Sequence, residues 1–206
     1  MPIVAAGAAK RRQLRRTRVF PDPAKEGREV MSDRDTQPFA QVSLAAGALF
    51  VRGEELLLVH SVDRCDWHIP GGIVGPGESP AAACRRVIRD ELGLDSPPQR
   101  LLVHDWAQKP AGDKIVYIFD CGEVGDESAI RLREGELDRW QWVRVDTVDT
   151  FAGPELARRI WQAFRARMEG HAVYLEHGLP ALGYPDTAAA APSWLDRQPD
   201  RDRHLG

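Results

Sequence analysis

Residues 71–94, GGIVGPGESPAAACRRVIRDELGL, place a glycine-rich loop directly before a charged helix. Glycine stands at positions 71, 72, 75 and 77, where it allows positive φ angles and a close approach of the backbone to a ligand. Ser79 followed by Pro80 is typical of a helix N-cap and first helical residue, and Gly93 is typical of the residue just past a helix end. The sequence therefore predicts a helix over residues 80–92.

One side of this predicted helix is apolar and the other side is charged. The apolar residues at helical spacing, which are predicted to pack on a sheet, are Ala81, Cys84, Ile88 and Leu92. Arg86 and Asp90 are four positions apart and Glu91 follows, so we expect a guanidinium and two carboxylates to share one exposed sector. An isolated charge cluster is usually just a solvated face, so its meaning depends on the complete pattern.

The charged sector suits a site for a metal and a diphosphate. Mg²⁺ prefers oxygen ligands and takes one or two carboxylates together with water and phosphate oxygens of the substrate. We therefore predict that Asp90 and Glu91 bind metal, helped by Glu78 and by the carbonyl of Gly72. A guanidinium can hold carboxylates in one orientation, which is the role predicted for Arg86.

The spacing of these residues matches a known pattern over the whole segment. Counting from Gly72, five residues precede Glu78 and seven more precede Arg86. The remaining matching positions are Ile88, Asp90, Glu91, Gly93 and Leu94. This pattern resembles the Nudix box, Gly-x5-Glu-x7-Arg-Glu-U-x-Glu-Glu-x-Gly-U with U aliphatic, and residues 67–71, WHIPG, resemble its usual lead-in. The resemblance covers about residues 41–170.

The resemblance implies an α/β (α+β) fold, built as a helix–sheet–helix sandwich with a mixed β-sheet. It also implies a pyrophosphohydrolase that uses Mg²⁺, or Mn²⁺ in its place, to cleave a diphosphate linkage in a nucleoside diphosphate derivative. The catalytic residues implied within the box are Glu91 and Arg86. Trp67, His68 and Gly71 lie at the entrance to the loop and are predicted to contact the substrate. The group attached to the diphosphate is not predicted, because loops outside the box select it.

Two positions depart from the family pattern. Asp90 replaces the first Glu of the Glu-Glu pair, which shortens a predicted ligand by one methylene but keeps its oxygen chemistry. Val87 replaces the Glu that follows the Arg, a residue that binds metal or activates water in some members. Valine can do neither. Fewer metal ions, a base from another segment and a weakened enzyme all remain open.

A replacement carboxylate is predicted near a later strand. Nudix enzymes often supply a carboxylate from the approach to this strand, which here reads RLREGEL over residues 131–137. Glu136 is the first choice for a catalytic role and Glu134 is the second. Either glutamate taken alone is as readily explained as a solvated loop residue.

Strand-like runs are predicted at residues 42–51, 55–60, 100–107, 114–120 and 140–145. Residues 52–54 separate the first two runs and indicate a hairpin. A second amphipathic helix is predicted over residues 154–168, where the apolar stripe consists of Leu156, Ile160, Phe164 and Met168. Strands before, between and after two helices in the sequence are consistent with a helix–sheet–helix sandwich.

The ends of the chain differ from the middle. Residues 1–30 hold eight Lys or Arg against three Asp or Glu, a net charge of +5, although the 206-residue chain totals −3. We assign residues 1–40 to a basic leader predicted to be disordered, 41–170 to the Nudix hydrolase domain, and 171–206 to a C-terminal extension predicted to be partly disordered. We expect a leader and not a nucleic-acid-binding arm, because Phe20 is the only aromatic residue in the basic segment.

Composition indicates a globular protein, with 43% hydrophobic and 29% charged residues, and agrees with the small enzyme that the resemblance implies. No apolar run approaches the roughly 20 residues that a membrane helix needs, and the start lacks the order of a signal peptide. Three cysteines without CxxC spacing predict neither a disulfide framework nor a zinc site. We expect a cytoplasmic protein whose partner is a nucleoside diphosphate-type small molecule, with no membrane or nucleic-acid partner and with a homodimer left open.

Two other functions stay open. A Nudix domain that binds a nucleotide or metabolite as a sensor, without hydrolysing it, is favoured by Val87. An enzyme acting on RNA 5′ ends is favoured only by the basic leader. Turnover of small diphosphates would distinguish the hydrolase from the sensor, and capped RNA as a substrate would distinguish the third class.

Overall fold

A computed structural model describes residues 40–110, 112–182 and 192–195. The predicted leader lies outside the described residues apart from Ala40, and so do residues 183–191 and 196–206 of the predicted extension. No helix in the described ranges combines the length and the apolar character that crossing a membrane requires.

The strands are β1 (Val42–Leu49), β2 (Val51–Arg52), β3 (Glu55–Ser61), β4 (Trp67–His68), β5 (Gly71–Ile73), β6 (Arg100–Ala107), β7 (Asp113–Asp120), β8 (Leu137–Arg144), β9 (Val173–Glu176) and β10 (Leu179–Pro180). The α-helices are α1 (Pro80–Leu92) and α2 (Pro154–Glu169). Two short 3₁₀ helices span Glu127–Ala129 and Val145–Thr150. All five predicted strand runs and both predicted helices are therefore present.

Two sheets organise the fold. Six strands form a mixed sheet in the order β10-β9-β6-β7-β1-β5, with β1 parallel to β7 and β6 parallel to β9. The smaller sheet contains β2, β3 and β4, and β8 pairs with β3. Strands β9 and β10 come from the segment predicted as the C-terminal extension and form one edge of the larger sheet.

The helices cover opposite faces of the larger sheet and bury separate apolar clusters. Helix α2 packs Ile160 and Ala163 against residues such as Val103 of β6. Helix α1 packs Ala83 and Ile88 against the other face. Burial of aliphatic side chains on both faces is the main stabilising contribution to such a layered fold. The predicted helix–sheet–helix sandwich with a mixed sheet is confirmed.

The predicted ends of helix α1 are confirmed. The Ser79 side chain accepts a hydrogen bond from the N–H of Ala82 at 3.1 Å, which satisfies one of the free donors of the first turn. Gly93 has φ of 68° and donates its N–H to the carbonyl of Arg89 at 3.0 Å. A left-handed conformation at this position favours glycine, so the sequence defines where the helix ends.

The predicted apolar stripe of α1 is wrong at its first residue. Ala81 is exposed together with Ala82 in the first turn, and burial begins at Ala83. The buried residues of α1 are Ala83, Cys84, Val87, Ile88 and Leu92. Cys84 is fully buried, as predicted for a core cysteine.

The predicted strand over residues 42–51 divides between the two sheets. Leu49 still belongs to β1 and accepts a hydrogen bond from Cys121 at 2.9 Å, whereas Val51 pairs with Leu56 in the smaller sheet. Phe50 is the buried residue at which the chain changes sheets. Continuous hydrophobicity on both sides of Phe50 conceals this change, because both sheets bury this part of the chain.

Helix α2 carries a buried ion-pair network in addition to its apolar residues. Asp105 of β6 is 0% exposed and accepts hydrogen bonds from Nε of Arg159 and from the N–H of Gly178, the latter at 2.8 Å. Arg159 also pairs with Glu155 one turn earlier. The predicted stripe of α2 is wrong at Met168, which is 65% exposed.

Candidate active site

The glycine-rich segment begins within β5 and approaches both β1 and α1 closely. A Cβ atom added to Gly71 would lie 3.2 Å from the carbonyl oxygen of Ala46, and one added to Gly72 would lie 3.0 Å from Cγ2 of Val87. Of the four glycines at positions 71, 72, 75 and 77, Gly77 alone has a positive φ, of 75°. The loop glycines were predicted to allow positive φ angles and a close approach of the backbone. The positive φ occurs at Gly77, and the close approach occurs at Gly71 and Gly72.

Glu78 and Arg86 join the loop to the helix. Arg86 donates from Nε to Oε1 of Glu78 and from Nη2 to Oε2, both at 2.9 Å. The N–H of Gly75 donates to the same Oε2 at 2.9 Å, and Arg86 also donates to the carbonyl of Ile73. The Arg86 guanidinium, with help from Gly75, lowers the pKa of Glu78 to about 2. Both oxygens of Glu78 are thus engaged within the protein, and its predicted metal contact stays a prediction.

Asp90 lies on the exposed flank of α1 beside Arg86. Its Oδ2 atom is 3.6 Å from Nη1 of Arg86, and its side chain is 39% exposed. Arg86 therefore lies between two carboxylates, those of Glu78 and Asp90. Asp90 has oxygen positions left for a ligand, because this contact is long for a hydrogen bond.

Glu91 is largely buried, which differs from the predicted exposed sector. Seven positions separate it from Cys84, so it projects from the same face of the helix as the buried apolar residues. Its Oε2 atom accepts a hydrogen bond from the N–H of Gly71 at 3.2 Å. Burial, reinforced by repulsion from Glu136, raises the pKa of Glu91 to about 7 in the absence of a cation.

Glu136 reaches this region because its segment hydrogen bonds to the last turn of α1. The N–H of Arg131 donates to the carbonyl of Leu92 at 2.7 Å, and the N–H of Arg133 donates to the carbonyl of Glu91 at 3.2 Å. These bonds use carbonyls that a helix end leaves without partners. The Glu136 side chain pairs with Nε of Arg133 at 3.1 Å.

A cavity of about 380 Å³ lies where these elements meet. It is lined by Ser61, Asp63, Arg64, His68, Gly71, Gly72, Arg86, Val87, Asp90, Glu91, Arg133, Glu136 and Leu137. Of the two glutamates predicted to replace the missing carboxylate, Glu136 lines the cavity and Glu134 does not. Ser61, Asp63 and Arg64 were not predicted, since no local spacing shows that the end of β3 approaches the helix. Arg133 was not predicted either, although it lies in the segment predicted to supply the replacement carboxylate.

Val87 forms part of the apolar wall of this cavity. It is 4% exposed, and its Cγ2 atom lies close to Gly72. The position that holds a glutamate in the Nudix box therefore offers only methyl groups to the cavity. Any carboxylate that activates water must come from another position.

His68 and Trp67 lie on opposite sides of β4, because successive strand residues alternate in direction. His68 lines the cavity, and its Nδ1 donates to the carbonyl of Ile69 at 2.9 Å. Its Nε2 is buried without a hydrogen-bond partner among the described residues, and burial lowers the pKa of the imidazole. Trp67 does not line the cavity; its ring packs near Phe151 on the α2 side.

The carboxylates of the cavity fit a divalent cation whose coordination is completed by the substrate. Within the described ranges, no three His, Cys, Asp or Glu side chains are arranged as a complete metal site. Mg²⁺ does not need one, because it keeps water and takes phosphate oxygens in addition to one or two carboxylates. The repulsion that raises the pKa of Glu91 is the kind of interaction that a cation between Glu91 and Glu136 relieves.

Comparisons with known proteins agree with this geometry. The family model of the NUDIX domain matches residues 42–164. An NAD-capped RNA hydrolase, NudC of Stutzerimonas stutzeri, is 28% identical over 138 residues, which cover 65% of this chain and 48% of the relative. An RNA pyrophosphohydrolase of Caulobacter vibrioides is 30% identical over 125 residues, covering 52% of this chain and 72% of the relative. The chain thus spans about half the length of the first relative.

Solved structures show the same fold. The crystal structure of a UDP-X diphosphatase superimposes with a TM-score of 0.55, at 21% identity and with coverage of 69% of this chain and 70% of the other. An ADP-ribose pyrophosphatase from Streptococcus suis gives a TM-score of 0.53 at 20% identity, covering 66% of this chain and 99% of the other. At this identity the likeness concerns the fold alone.

Proposed function

Because this chain belongs to the Nudix family, we propose that it is a Mg²⁺-dependent pyrophosphohydrolase that cleaves a diphosphate linkage in a nucleoside diphosphate derivative. The observation that supports this most strongly is the cavity beside α1, which combines carboxylates with cations. The carboxylates are those of Asp63, Asp90, Glu91 and Glu136, and the nearby guanidinium groups belong to Arg64, Arg86 and Arg133. Metal binding and diphosphate binding need both kinds of group.

Asp90 and Glu91 are the residues proposed to hold the metal. A bound divalent cation supplies electrophilic assistance to the diphosphate and makes water a better nucleophile. The hydrogen bond from Gly71 fixes the Glu91 carboxylate at the cavity wall. The contacts of Arg86 fix the loop and place its charge beside Asp90. We propose that Mn²⁺ can take the place of Mg²⁺, since both accept oxygen ligands.

Glu136 is proposed as the general base that takes the proton of the attacking water. It lines the same cavity as Glu91, and its carboxylate is half-exposed, so water can reach it. Val87 leaves no carboxylate at the family position, which makes a base from another segment necessary. Glu134 does not line the cavity and is the natural control for Glu136.

Arg64 and Arg133 are proposed to balance the charge of the substrate diphosphate. Both guanidinium groups line the cavity. Arg64 contacts Asp66 at 3.2 Å and Arg133 contacts Glu136 at 3.1 Å, and both pairs are largely exposed. Exposed pairs of this kind contribute little stability and rearrange easily when an anion binds. Arginine also suits phosphate because it donates two parallel hydrogen bonds.

RNA 5′ ends are a second candidate substrate. The named activities of the Stutzerimonas stutzeri and Caulobacter vibrioides relatives both concern RNA. This observation weighs against our expectation that nucleic acid is not a partner. The chemistry at the cavity would be the same, because a triphosphate or dinucleotide cap also contains a phosphoric anhydride.

A substrate panel tests the proposed function. Nucleoside diphosphate sugars, dinucleotides, triphosphorylated RNA and capped RNA are incubated with Mg²⁺, Mn²⁺ or EDTA, and the products are separated and quantified. We expect metal-dependent cleavage of at least one anhydride. Tight ligand binding without cleavage of any member of the panel would contradict hydrolysis and favour a sensor.

A further inference from the structure

The hairpin of strands β3 and β4 forms one wall of the candidate active site. Backbone hydrogen bonds fix its loop, residues 62–66, at two points. The N–H of Ser61 donates to the carbonyl of Asp66, and the N–H of Val62 donates to the carbonyl of Glu136, both at 2.9 Å. The second bond joins the loop to the segment that carries the proposed base. Side chains that leave this loop towards the cavity therefore have a defined place in its wall.

Asp63 lies in the turn of this loop and lines the cavity next to Arg64. The guanidinium of Arg64 is paired with Asp66, at 3.2 Å. The carboxylate of Asp63, in contrast, has no hydrogen bond or ion pair with any described residue. An ionised carboxylate accepts hydrogen bonds and donates none. The ligand group that meets Asp63 must therefore be a hydrogen-bond donor or a cation.

His68 is a second acceptor on the same hairpin and lines the same cavity. Its Nδ1 donates to the carbonyl of Ile69 at 2.9 Å, which leaves Nε2 as the acceptor nitrogen of a neutral ring. Nε2 is buried and has no hydrogen-bond partner in the part of the chain that the structure describes. The hairpin thus presents two acceptors to the ligand side, and neither of them has a donor within the described protein.

The sugar of a nucleotide supplies the donors that this wall lacks. Within the described ranges Asp63 does not converge with two other metal-binding side chains, so a donor fits it better than a second cation. Ionised phosphate offers acceptor oxygens only and cannot be that donor. The hydroxyls of the attached sugar are the nearest donors to a nucleoside diphosphate. The cavity of about 380 Å³ lies near the lower end of the roughly 300–1,000 Å³ typical of small-molecule sites, which suits a diphosphate with one sugar.

We propose that Asp63 binds a hydroxyl of the ribose attached to the diphosphate, so that the enzyme prefers ribonucleotides to deoxyribonucleotides. The proposal rests on the proposed function, because it takes the diphosphate to lie between Arg64 and helix α1. Carboxylates recognise ribose hydroxyls by the same chemistry in dinucleotide sites. A free nucleotide presents 2′- and 3′-hydroxyls and the first nucleotide of an RNA presents a 2′-hydroxyl, so both carry the required donor.

Matched, non-hydrolysable ligands test the proposal. α,β-Methylene adenosine 5′-diphosphate and its 2′-deoxy and 3′-deoxy analogues are titrated by calorimetry into the full chain with Mg²⁺. Wild-type protein is expected to bind at least one deoxy analogue about tenfold more weakly than the parent compound, because one charge-assisted hydrogen bond is lost. A loss with the 2′-deoxy analogue alone supports a site that also admits RNA 5′ ends. A loss with the 3′-deoxy analogue supports a site for nucleotides with a free 3′-hydroxyl.

Variants of Asp63 assign the preference to this residue. Asp63→Ala should reduce the ratio of parent to deoxy affinity from about ten to about one, and Asp63→Asn should keep about threefold, since an amide oxygen accepts without charge assistance. The ratio cancels any general gain from removing a negative charge beside the diphosphate. Asp66→Ala is the matched control, because it removes a carboxylate from the same loop outside the cavity, and it should leave the ratio at the wild-type value. A thermal melt of each variant verifies folding.

Three results would overturn the proposal for Asp63 and leave the proposed function intact, because the parent compound binds in each. They are equal affinity of wild-type protein for the parent and both deoxy analogues, an unchanged ratio in Asp63→Ala, and a tenfold loss of Mg²⁺ affinity in Asp63→Ala. The last result would make Asp63 a metal ligand. Failure of every probe to bind would overturn the proposal and also remove support for the diphosphate site itself.

Discussion

Helices α1 and α2 both bring charged side chains into the interior, and they differ in the counter-charges and hydrogen-bond partners that these side chains find there. On α2, Arg159 forms ion pairs with Asp105 and Glu155, and Asp105 also accepts a hydrogen bond from the N–H of Gly178. On α1, the Glu91 carboxylate accepts one hydrogen bond, from the backbone N–H of Gly71, and forms no ion pair among the described residues. The nearby Glu136 carboxylate repels it, and the more distant Arg64 and Arg133 attract it weakly. A charge satisfied within the protein stabilises the fold, whereas a charge left without a counter-ion identifies a place for a ligand.

The largest expected difference between the two helices concerns activity. Glu91→Gln should reduce the turnover number by roughly 10²- to 10⁴-fold, because the amide is a poor ligand for a cation and cannot act in proton transfer. Product release from the best substrate of the panel, measured at saturating Mg²⁺, provides the test. Glu134→Gln is the matched control, since Glu134 does not line the cavity. Retention of more than half the wild-type turnover by Glu91→Gln would remove Glu91 from the mechanism.

The corresponding change on the α2 side should affect stability. Asp105→Asn deprives Arg159 of a fully buried counter-charge and is expected to lower the free energy of unfolding by about 3 kcal/mol. Urea denaturation of the metal-free protein measures the loss. Asp146→Asn removes an exposed partner of Arg144 and should cost less than about 1 kcal/mol. Equal losses in the two variants would show that burial does not distinguish these pairs.

Stability of the metal-free protein should depend on pH through Glu91. The folded-state pKa of about 7 lies above the ordinary value of 4.5, so the folded state binds the proton more tightly than the unfolded chain does. The contribution of Glu91 to stability is therefore full below about pH 4.5 and is lost as pH rises towards 7. Glu91→Gln should be more stable than wild type at pH 8, by at most about 3 kcal/mol, with the difference shrinking as pH falls to 5.

Thermal unfolding with EDTA at these two pH values measures this difference. A Glu91→Gln variant that is no more stable at pH 8 than wild type would mean that the Glu91 carboxylate is already compensated within the protein. The difference between compensated charges on α2 and an uncompensated carboxylate on α1 would then not exist.

A smaller effect is expected at the proposed base. Glu136→Gln should slow turnover by about 10- to 100-fold, because Glu136 lines the cavity and no carboxylate stands at Val87. Glu134→Gln should change turnover by less than about twofold, since Glu134 lies outside the cavity wall. Equal effects of the two variants would reject the assignment of the base to Glu136. Initial rates across pH 5 to 9 also show whether the loss concerns proton transfer.

Local sequence signals predicted the loop and the helix on which the site is built. Ser79, Pro80 and Gly93 act within one turn of the helix, and for that reason the bounds of α1 were predictable from the sequence. The fold class followed from alternating strands and helices. The spacing of residues between Gly72 and Leu94 predicted which of them lie on the loop and which lie on helix α1.

Features that depend on distant contacts were not predictable in the same way. Glu91 was expected on the exposed side of α1, although its seven-residue spacing from Cys84 is a local signal for the buried side. Its hydrogen bond from the N–H of Gly71, by contrast, depends on how the loop lies over the helix. Arg64 reaches the cavity on the loop after β3, where the N–H of Val62 donates to the carbonyl of Glu136, and no short pattern encodes this contact. Glu136 was predicted, but from the family resemblance and not from a local pattern. The pairing of Asp105 with Arg159 joins residues 54 positions apart.

Calorimetric titration of Mg²⁺ at pH 8, in the presence of α,β-methylene adenosine 5′-diphosphate, tests the central claim most directly. The claim is that Glu91 is left without a counter-ion because a cation binds there. Wild-type protein should bind Mg²⁺, and Glu91→Gln should weaken that binding at least about tenfold, while Glu134→Gln should not. Equal Mg²⁺ affinity in wild type and Glu91→Gln, or no Mg²⁺ binding to either, would contradict the claim.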